Sequence, residues 1–275
     1  ALKRAGLVKR VVGYSKSPST TEQAKKLKVI DTAAESALLA VSGSDIVLIA
    51  VPVAATEATL KAVRQMVEPG VLFMDVGSTK KDVVEAARRV LKERVGGFVP
   101  AHPIAGKETA GIANADASLF VGRQVILTPL SDNPPEMVQK ASDAWTGVGA
   151  QVQKMSAENH DAAFAAVSHL PHLLAFAYFN AIAKQPAGPE FLSLAGTGFR
   201  DFTRIAGSDP CVWRDILMSN RDEILKQSMR FRHTLDAIEH VIRGGNMEAL
   251  ERLIRDASEA RTDWQMSGVK PPNSR

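Results

Sequence analysis

The feature that most constrains the fold is an alternation that runs from Val11 to about Met155 and then stops. Within it, short apolar runs such as "SDIVLIAVP" and "VLFMDVG" alternate with amphipathic stretches, a pattern that predicts strands alternating with helices. The near-continuous apolar runs indicate strands that are covered on both faces, as in a parallel sheet. The pattern therefore predicts an α/β domain with a doubly wound, Rossmann-like parallel sheet.

The strands are predicted in "RVVGY", "SDIVLIAVP", "VLFMDVG", "GFVPAHP", "RQVILTP" and "AQVQKM", and the helices over residues 22–27, 56–67, 79–93 and 135–145. After residue 155 the strand pattern ends. Residues 157–184, 209–243 and 246–264 predict long helices, with a short-helical or irregular crossing at 189–210. Apolar positions on more than one face of such helices favour packing against a second copy of the chain.

These patterns divide the chain into a dinucleotide-binding domain, residues 1–155, and an all-helical domain, residues 156–275, for substrate binding and homodimerisation. A chain of 275 residues with 45% apolar residues can form two packed units. The final "GVKPPNSR" has the composition of a disordered tail.

Charge and cysteine content limit the kinds of function and the cellular compartment that this chain can have. The net charge of +4 comes from basic residues spread along the chain, which suits an anionic small molecule at least as well as nucleic acid. No tract interleaves basic and aromatic residues as a single-strand nucleic-acid platform does. The one cysteine, Cys211, excludes a disulfide within the chain and indicates a reducing compartment. We predict a cytoplasmic protein with no membrane or nucleic-acid partner, and we assign no metal site.

The opening "ALKRAG" is typical of the last turns of a helix that ends at Gly6. In a doubly wound domain, a first strand and a Gly-rich turn hold the diphosphate of the dinucleotide. Both are expected before such a helix, so the predicted domain is incomplete at its N-terminus. Either the sequence is truncated or this element was never built, and both alternatives stay open.

Residues Ser15, Lys16 and Ser17 follow the first predicted strand, where a dinucleotide domain contacts the adenosine ribose. An acid at this place selects NAD, whereas a hydroxyl and a cation accommodate the 2′-phosphate of NADP. Because no acid is present, we predict NADP as the cofactor, with NAD possible. The alternative is an ordinary polar loop.

Two later strand ends, at Val51 and Pro52 and at Gly77 and Ser78, lie where a nicotinamide could rest, because ligands of open parallel sheets gather at the carboxyl ends of the strands. The alternative for "STKKD" is a plain helix start with Ser78 or Thr79 as the N-cap.

His102 ends the next predicted strand and falls on the same edge as Ser78. An imidazole with a pKa near neutrality is the usual base for taking a hydroxyl proton during hydride transfer. A structural histidine at a strand end is the alternative. Arg200 and Arg204, one helical turn apart, form a plausible receiver for carboxylates, with surface ion pairing as the alternative.

The first long helix carries a polar stripe. At 100° per residue Asp161, Ser168 and His172 fall within about 20° of each other, while His169 lies about 80° away. Pro171 removes a backbone hydrogen bond in mid-helix and is expected to kink the axis and free a carbonyl. Such a stripe lines a pocket or forms an interface between helices.

Four segments in matching order, "DVGSTK", "HPIAGKETAG", "SHLPH" and "GFRDFTRIAGSDPCVWRD", resemble the prephenate and arogenate dehydrogenases of tyrosine biosynthesis, also called cyclohexadienyl dehydrogenases. The likeness covers nearly all of residues 1–265. It implies oxidative decarboxylation, in which NAD(P)⁺ takes a hydride from a cyclohexadienol while the ring carboxylate leaves as CO₂.

The resemblance also implies roles for single residues. His102 takes the proton of the ring hydroxyl, Ser78 holds that hydroxyl and the histidine in line, and Arg204 binds a substrate carboxylate. Around the pocket mouth the resemblance implies an ionic and hydrogen-bonding set with His169 close by: Glu108, Arg200, Asp161 and His172. His172 favours prephenate over arogenate. Two alternative functions are a hydroxyacid or phosphogluconate-type dehydrogenase and a catalytically silent nucleotide-binding dimer.

Overall fold

The computed structural model describes residues 1–106 and 111–264, so Glu108 and the tail predicted to be disordered lie outside the described residues. Strands alternate with helices as far as residue 154, and the rest of the described chain is helical. This confirms the predicted fold class of a Rossmann-like domain followed by a helical domain.

The strands are β1 (Val12–Gly13), β2 (Thr32–Ala33), β3 (Ile46–Ile49), β4 (Leu72–Asp75), β5 (Ala101–Pro103), β6 (Gln124–Leu127) and β7 (Gln151–Lys154). The helices among them are α1 (Pro18–Lys26), α2 (Ala37–Val41), α3 (Thr56–Val63), α4 (Lys81–Leu91) and α5 (Pro135–Gly147). The helical part contains α6 (Ala157–Phe164), α7 (Leu170–Ala183), α8 (Gly188–Ser193), α9 (Thr197–Thr203), α10 (Pro210–Ser219), α11 (Arg221–Arg243) and α12 (Met247–Asp263). The sequence patterns missed β2 and α2, which are too short to show a period.

The sheet is mostly parallel but contains one antiparallel pair. β1 pairs with β2 and β3 with β4, both in parallel. Phe73 of β4 bridges Phe98, just before β5, also in parallel. β5 then pairs antiparallel with β6, and β6 is parallel to β7. The carboxyl ends of β3, β4 and β5 therefore share one edge of the parallel sheet, whereas β6 and β7 run in the opposite direction.

Alternate residues of the central strand enter two separate cores. Phe73 packs with α3 and α4 in one hydrophobic cluster, while Leu72 and Met74 pack with β6 and α5 in the other. This alternation follows from the two-residue period of a strand and explains why the run "VLFM" is apolar at every position. A cavity of about 450 Å³ is lined mainly by apolar side chains, including Val11 next to β1 and Ile46 and Leu48 of β3.

The N-terminal "ALKRAG" ends as a helix does. Gly6 has a positive φ of 68°. Its N–H donates to the carbonyl of Lys3, and the N–H of Leu7 donates to that of Leu2. These are the two bonds of a Schellman motif, which glycine favours because it has no Cβ.

A π-helical turn, Ala165–His169, separates α6 from α7 and ends two residues before Pro171. Because proline has no N–H, the regular ladder cannot continue through this point, and the wider turn absorbs the break. The distortion predicted at Pro171 is therefore present as one extra residue in the helix, at the π-helical turn. This insertion changes which side chains share a face, with consequences for the candidate site.

The second predicted long helix, residues 209–243, is divided at Asn220 into α10 and α11. Asn220 is buried, and its side-chain amide donates to the backbone oxygen of Asp161 at 2.8 Å. A local pattern could not predict the break, because the partner of Asn220 is 59 residues away.

The segment Ala157–Ala183 is long and apolar enough to cross a membrane by length and composition alone. One such helix is weak evidence, because a core helix of a globular protein passes the same test. This helix carries the buried polar residues His160, Asp161 and His169. Its polar residues hydrogen-bond to other parts of the protein, which is the arrangement of a helix that carries a site.

Candidate active site

A buried ion pair joins the end of β4 to the start of β5. The ammonium of Lys80 contacts Asp75 and donates to the carbonyl of Ala101 at 2.8 Å. Asp75 also accepts from the N–H of Gly77 at 2.8 Å and from that of Ala101 at 3.1 Å. Lys80 is completely buried, and Asp75 is 1% exposed. These contacts hold the residue before His102 in a fixed position.

Sequence reasoning missed Asp75 and Lys80. The run "STKKD" was interpreted as a helix start or a cofactor turn, and nothing local distinguishes a buried lysine from a solvated one. The one available signal was Asp75 at the end of an apolar strand, because a buried carboxylate requires a cation or hydrogen-bond donors. Gly77 is required here, because a Cβ would lie 2.9 Å from a carboxylate oxygen of Asp75.

Asp161, from the helical domain, binds the N-terminus of α4. Its two carboxylate oxygens accept the backbone N–H groups of Lys80 at 2.8 Å and Lys81 at 2.9 Å. The N-cap position is Lys80, so the alternative prediction of Ser78 or Thr79 as the cap is wrong. A helix N-terminus favours a carboxylate, because it presents free N–H donors and the positive end of the helix dipole. Asp161 is 2% exposed, and its place in the set around the pocket mouth stays a prediction.

His102 belongs to a hydrogen-bonded chain that crosses between the two domains. Its Nδ1 lies 2.8 Å from Nε2 of His160, whose Nδ1 lies 2.8 Å from the carboxylate of Asp161. Phe164 packs against both imidazoles, with ring centroids 4.8 Å from His102 and 4.5 Å from His160. His160 is fully buried and was absent from the predicted site. The available signal was the adjacent pair "HD" at a helix start.

Both imidazoles are held in the neutral form. Burial lowers the pKa of His102 well below its usual value. The positive charge of Lys80 lowers it further, and the neighbouring imidazoles of His160 and His169 act in the same direction. Burial also lowers the pKa of His160, although the carboxylate of Asp161 opposes this shift. At neutral pH His102 is therefore an unprotonated imidazole that can accept a proton.

His169 joins the same network through Asn220. The side-chain nitrogen of Asn220 lies 3.1 Å from Nδ1 of His169 and also donates to the backbone oxygen of Asp161. The inserted residue of the π turn explains this alignment. Eight residues at 100° place His169 about 80° from Asp161, and removing one step of 100° brings the two within about 20°. The predicted stripe of Asp161, Ser168 and His172 is therefore wrong.

His172 lies beside this network, next to an aromatic ring and an arginine. Its imidazole stacks on Trp213 with centroids 3.4 Å apart, and its Nδ1 bonds the carbonyl of Ser168 at 2.9 Å. Burial lowers the pKa of His172, and the charge of Arg204 lowers it further. The structure thus brings His172, Trp213 and Arg204 together, although sequence reasoning did not assign Trp213.

Arg200 is exposed and forms an ion pair with Asp201 at 3.1 Å, which is the alternative that the sequence left open. Its role at a pocket stays a prediction. Ser78 lies half-buried in the bend between β4 and α4, on the edge that also bears His102.

The predicted cofactor residues lie after three strand ends. Ser15 Oγ accepts the N–H of Ser17 at 3.2 Å, and Lys16 between them is exposed. After β3, Val51 is half-buried and Pro52 is exposed. An open edge with small and polar residues fits a nicotinamide dinucleotide, because parallel sheets bind such ligands outside the carboxyl ends of their strands. Within residues 1–106 and 111–264 no cluster of metal-binding side chains is found.

Comparisons with known proteins assign the family. The model for the nucleotide-binding domain of prephenate dehydrogenase matches residues 1–154, and the model for its dimerization domain matches residues 156–256. Prephenate dehydrogenase of Bacillus subtilis is 35% identical over 95% of this chain and 71% of its own length. Cyclohexadienyl dehydrogenase of Zymomonas mobilis is 32% identical over 90% of this chain and 85% of its own length.

A solved structure agrees with these relatives. It is prephenate dehydrogenase from A. aeolicus in complex with hydroxyphenyl propionate and NAD⁺, with a TM-score of 0.89 and 31% identity over 95% of this chain and 91% of that one. These matches decide against the hydroxyacid or phosphogluconate-type alternative. This chain belongs to the prephenate dehydrogenase family.

Proposed function

We propose that this protein oxidatively decarboxylates prephenate or arogenate with a nicotinamide dinucleotide and that His102 is the proton acceptor. The observation that carries the role of His102 is its place at the sheet edge, where its Nδ1 is hydrogen-bonded to His160. It is a half-buried imidazole, kept unprotonated by burial and by Lys80, at the sheet edge where β4 and β5 end. A neutral imidazole in such a place can hydrogen-bond a substrate hydroxyl and take its proton.

The reaction requires orientation and one proton acceptor. The nicotinamide, when bound, supplies the hydride acceptor. His102 takes the hydroxyl proton as the carbinol carbon gives up its hydride, and the electron pair of the breaking C–CO₂ bond enters the ring. The phenolic oxygen of the product then takes the proton back, so no proton is released overall. Holding the hydroxyl and the imidazole in line supplies much of the rate.

Arg204 and His172 are proposed to bind the side chain of the substrate. Arg204 begins the turn Arg204–Gly207, which packs against α7, the helix of His172, and its charge lowers the pKa of His172. A guanidinium binds a carboxylate with paired hydrogen bonds and stays charged at every physiological pH. With this pair we favour prephenate over arogenate. Ser78, His169 and Arg200 keep the roles implied by the family resemblance.

For the cofactor we propose NADP, with NAD accepted more weakly. Support comes from Lys16, which is exposed between two serines directly after β1, and from the lack of an acid in that segment. The cation and the hydroxyls can accommodate a 2′-phosphate. We further propose a homodimer in the cytoplasm. Several large apolar side chains of the helical domain are exposed in the single chain: Leu194, Met218, Leu225 and Ile254.

The test uses the natural full-length protein. Prephenate or arogenate is mixed with NADP⁺ or NAD⁺, and the absorbance of the reduced nicotinamide is followed at about 340 nm. Turnover with either substrate is expected, and none with both would reject the proposal. His102→Asn is expected to lower kcat about 10²- to 10⁴-fold without weakening cofactor binding. Unchanged turnover in this variant would remove His102 from its role, whereas no turnover in the parent would leave the silent nucleotide-binding dimer as the alternative.

A further inference from the structure

We infer that His160 is a positioning residue for His102: it fixes the tautomer that leaves Nε2 of His102 free to accept a proton, and it shares the charge that results. This inference rests on the proposed function, because it needs His102 as the proton acceptor. It is carried by the order of donors and acceptors in the chain from Asp161 to His102.

The donor and the acceptor of each hydrogen bond can be assigned by starting from the carboxylate of Asp161. Both carboxylate oxygens of Asp161 already accept backbone N–H groups, from Lys80 and Lys81. Such a carboxylate can only accept, so the 2.8 Å contact requires that Nδ1 of His160 carries a hydrogen and donates it.

The second link follows from the first. A neutral imidazole with its hydrogen on Nδ1 has an acceptor at Nε2. The 2.8 Å contact between His160 Nε2 and His102 Nδ1 is then a bond that His102 donates. His102 must carry its hydrogen on Nδ1, and its Nε2 is left with a free lone pair. The buried carboxylate thereby determines, through two imidazoles, which nitrogen of His102 acts as the base.

The same chain can stabilise the protonated form of His102. When Nε2 takes the hydroxyl proton, the hydrogen on Nδ1 strengthens its bond to His160, and the charge is shared toward Asp161. The proton returns to the phenolic oxygen after CO₂ leaves, so the chain has to hold the charge only briefly. Among the residues that the structure describes, the other charged or titratable groups that act on the two imidazoles are Lys80, Asp75 and His169.

Two substitutions separate the two links. In His160→Asn the amide can occupy the place of Nδ1 and still donate to Asp161, but it is too short to reach His102. In His160→Gln the amide oxygen can occupy the place of Nε2 and accept from His102, although it cannot share a proton. We expect His160→Asn to lower kcat about 10²-fold and His160→Gln to stay within about 10-fold of the parent, with KM little changed in both.

The decisive measurement repeats these substitutions in the His102→Asn background. A residue that acts through His102 has nothing left to position there, so His160→Asn is expected to change the residual kcat by less than about threefold. His240→Asn, the same change at an exposed histidine of α11, serves as the control and is expected to leave kcat unchanged. Equal losses from His160→Asn in both backgrounds would show a merely structural role and overturn the inference.

Nitrogen NMR of ¹⁵N-histidine-labelled protein reads the tautomers without any turnover. The chain contains 6 histidines, so six ring spin systems must be assigned. We expect His102 and His160 to carry hydrogen on Nδ1 and a bare Nε2 at neutral pH, and we expect His102 to become a tautomer mixture in His160→Asn. Hydrogen on Nε2 of His102 in the parent would overturn the inference, even if the parent converts prephenate. Absence of turnover with correct tautomers would instead reject the proposed function.

Discussion

Acid is expected to destabilise the folded protein through His169, because this side chain is buried as a neutral imidazole. It is 1% exposed, and burial lowers its pKa from 6.5 to about 4. In the folded protein Nδ1 accepts the amide hydrogen of Asn220, a bond that a protonated ring would have to break. The substitution His169→Asn places an amide oxygen near the same point, so it can preserve this bond and yet cannot be protonated.

The magnitude follows from the two pKa values. Between pH 6.5 and about 4 the unfolded chain binds a proton that folded His169 excludes, so the free energy of unfolding falls as the pH falls through this range. Each pH unit below 6.5 removes about 1.4 kcal/mol. From pH 7 to pH 5, His169 alone therefore lowers the free energy of unfolding by about 2 kcal/mol. Above pH 6.5 its contribution to the pH dependence vanishes.

Urea unfolding at pH 7 and pH 5 measures this effect, with tryptophan fluorescence as the signal because the Trp213 ring lies 6.1 Å from His169. The loss between the two pH values is expected to be about 2 kcal/mol smaller in His169→Asn than in the parent. The other lowered histidines remain in both proteins and cancel in the comparison. His233→Asn, at an exposed histidine of α11, is the control and should keep the parental loss. An equal loss in His169→Asn and the parent would refute the reasoning.

Three further results are expected. Asp75→Ala should lower the free energy of unfolding by about 3–5 kcal/mol in urea titrations, because the buried ammonium of Lys80 loses its counter-ion. Lys80→Met should lower it by less, because the carboxylate of Asp75 keeps two backbone N–H donors in that variant. A larger loss in Lys80→Met than in Asp75→Ala would contradict this pairing. The acid limb of the pH profile of kcat/KM should lie below pH 6.5, because burial lowers the pKa of His102. Lys80→Met should move this limb to higher pH, because the charge of Lys80 also lowers that pKa. A limb at or above pH 6.5 in the parent would contradict a neutral base. Lys16→Ala should raise the Kd of NADP⁺ more than that of NAD⁺ in fluorescence titrations, and equal effects would remove the role given to Lys16.

The first domain could be predicted largely because its signals are local. "VLFMDVG" and "RQVILTP" each contain a run of apolar residues, and both form strands whose side chains are largely buried. The edge that bears His102 and Ser78 also followed from strand order. The direction of β6 did not follow, because an apolar run carries no information about which way its strand runs in the sheet.

The sequence predicted His102 as the central residue of the candidate site but did not predict the residues that hydrogen-bond to it. His102 stood out as a histidine at a strand end, yet His160 looked like one more polar residue at a helix start. Asp161 was singled out through a stripe that assumed 100° per residue, and one inserted residue before Pro171 rotated every later position. Periodicity therefore identified the right helix and assigned the wrong neighbours within it.

The sequence by itself determined the strand and helix alternation, the all-helical second half and the residue types that chemistry requires, because apolar period and local composition are properties of neighbouring residues. Only the tertiary structure decided that Asp161 caps α4, that Asn220 divides a predicted helix, and that His160 lies between His102 and a carboxylate. Each of these contacts joins residues about 60 to 80 positions apart. Burying these polar groups costs free energy unless they hydrogen-bond one another, and that requirement exists only once the two domains have packed.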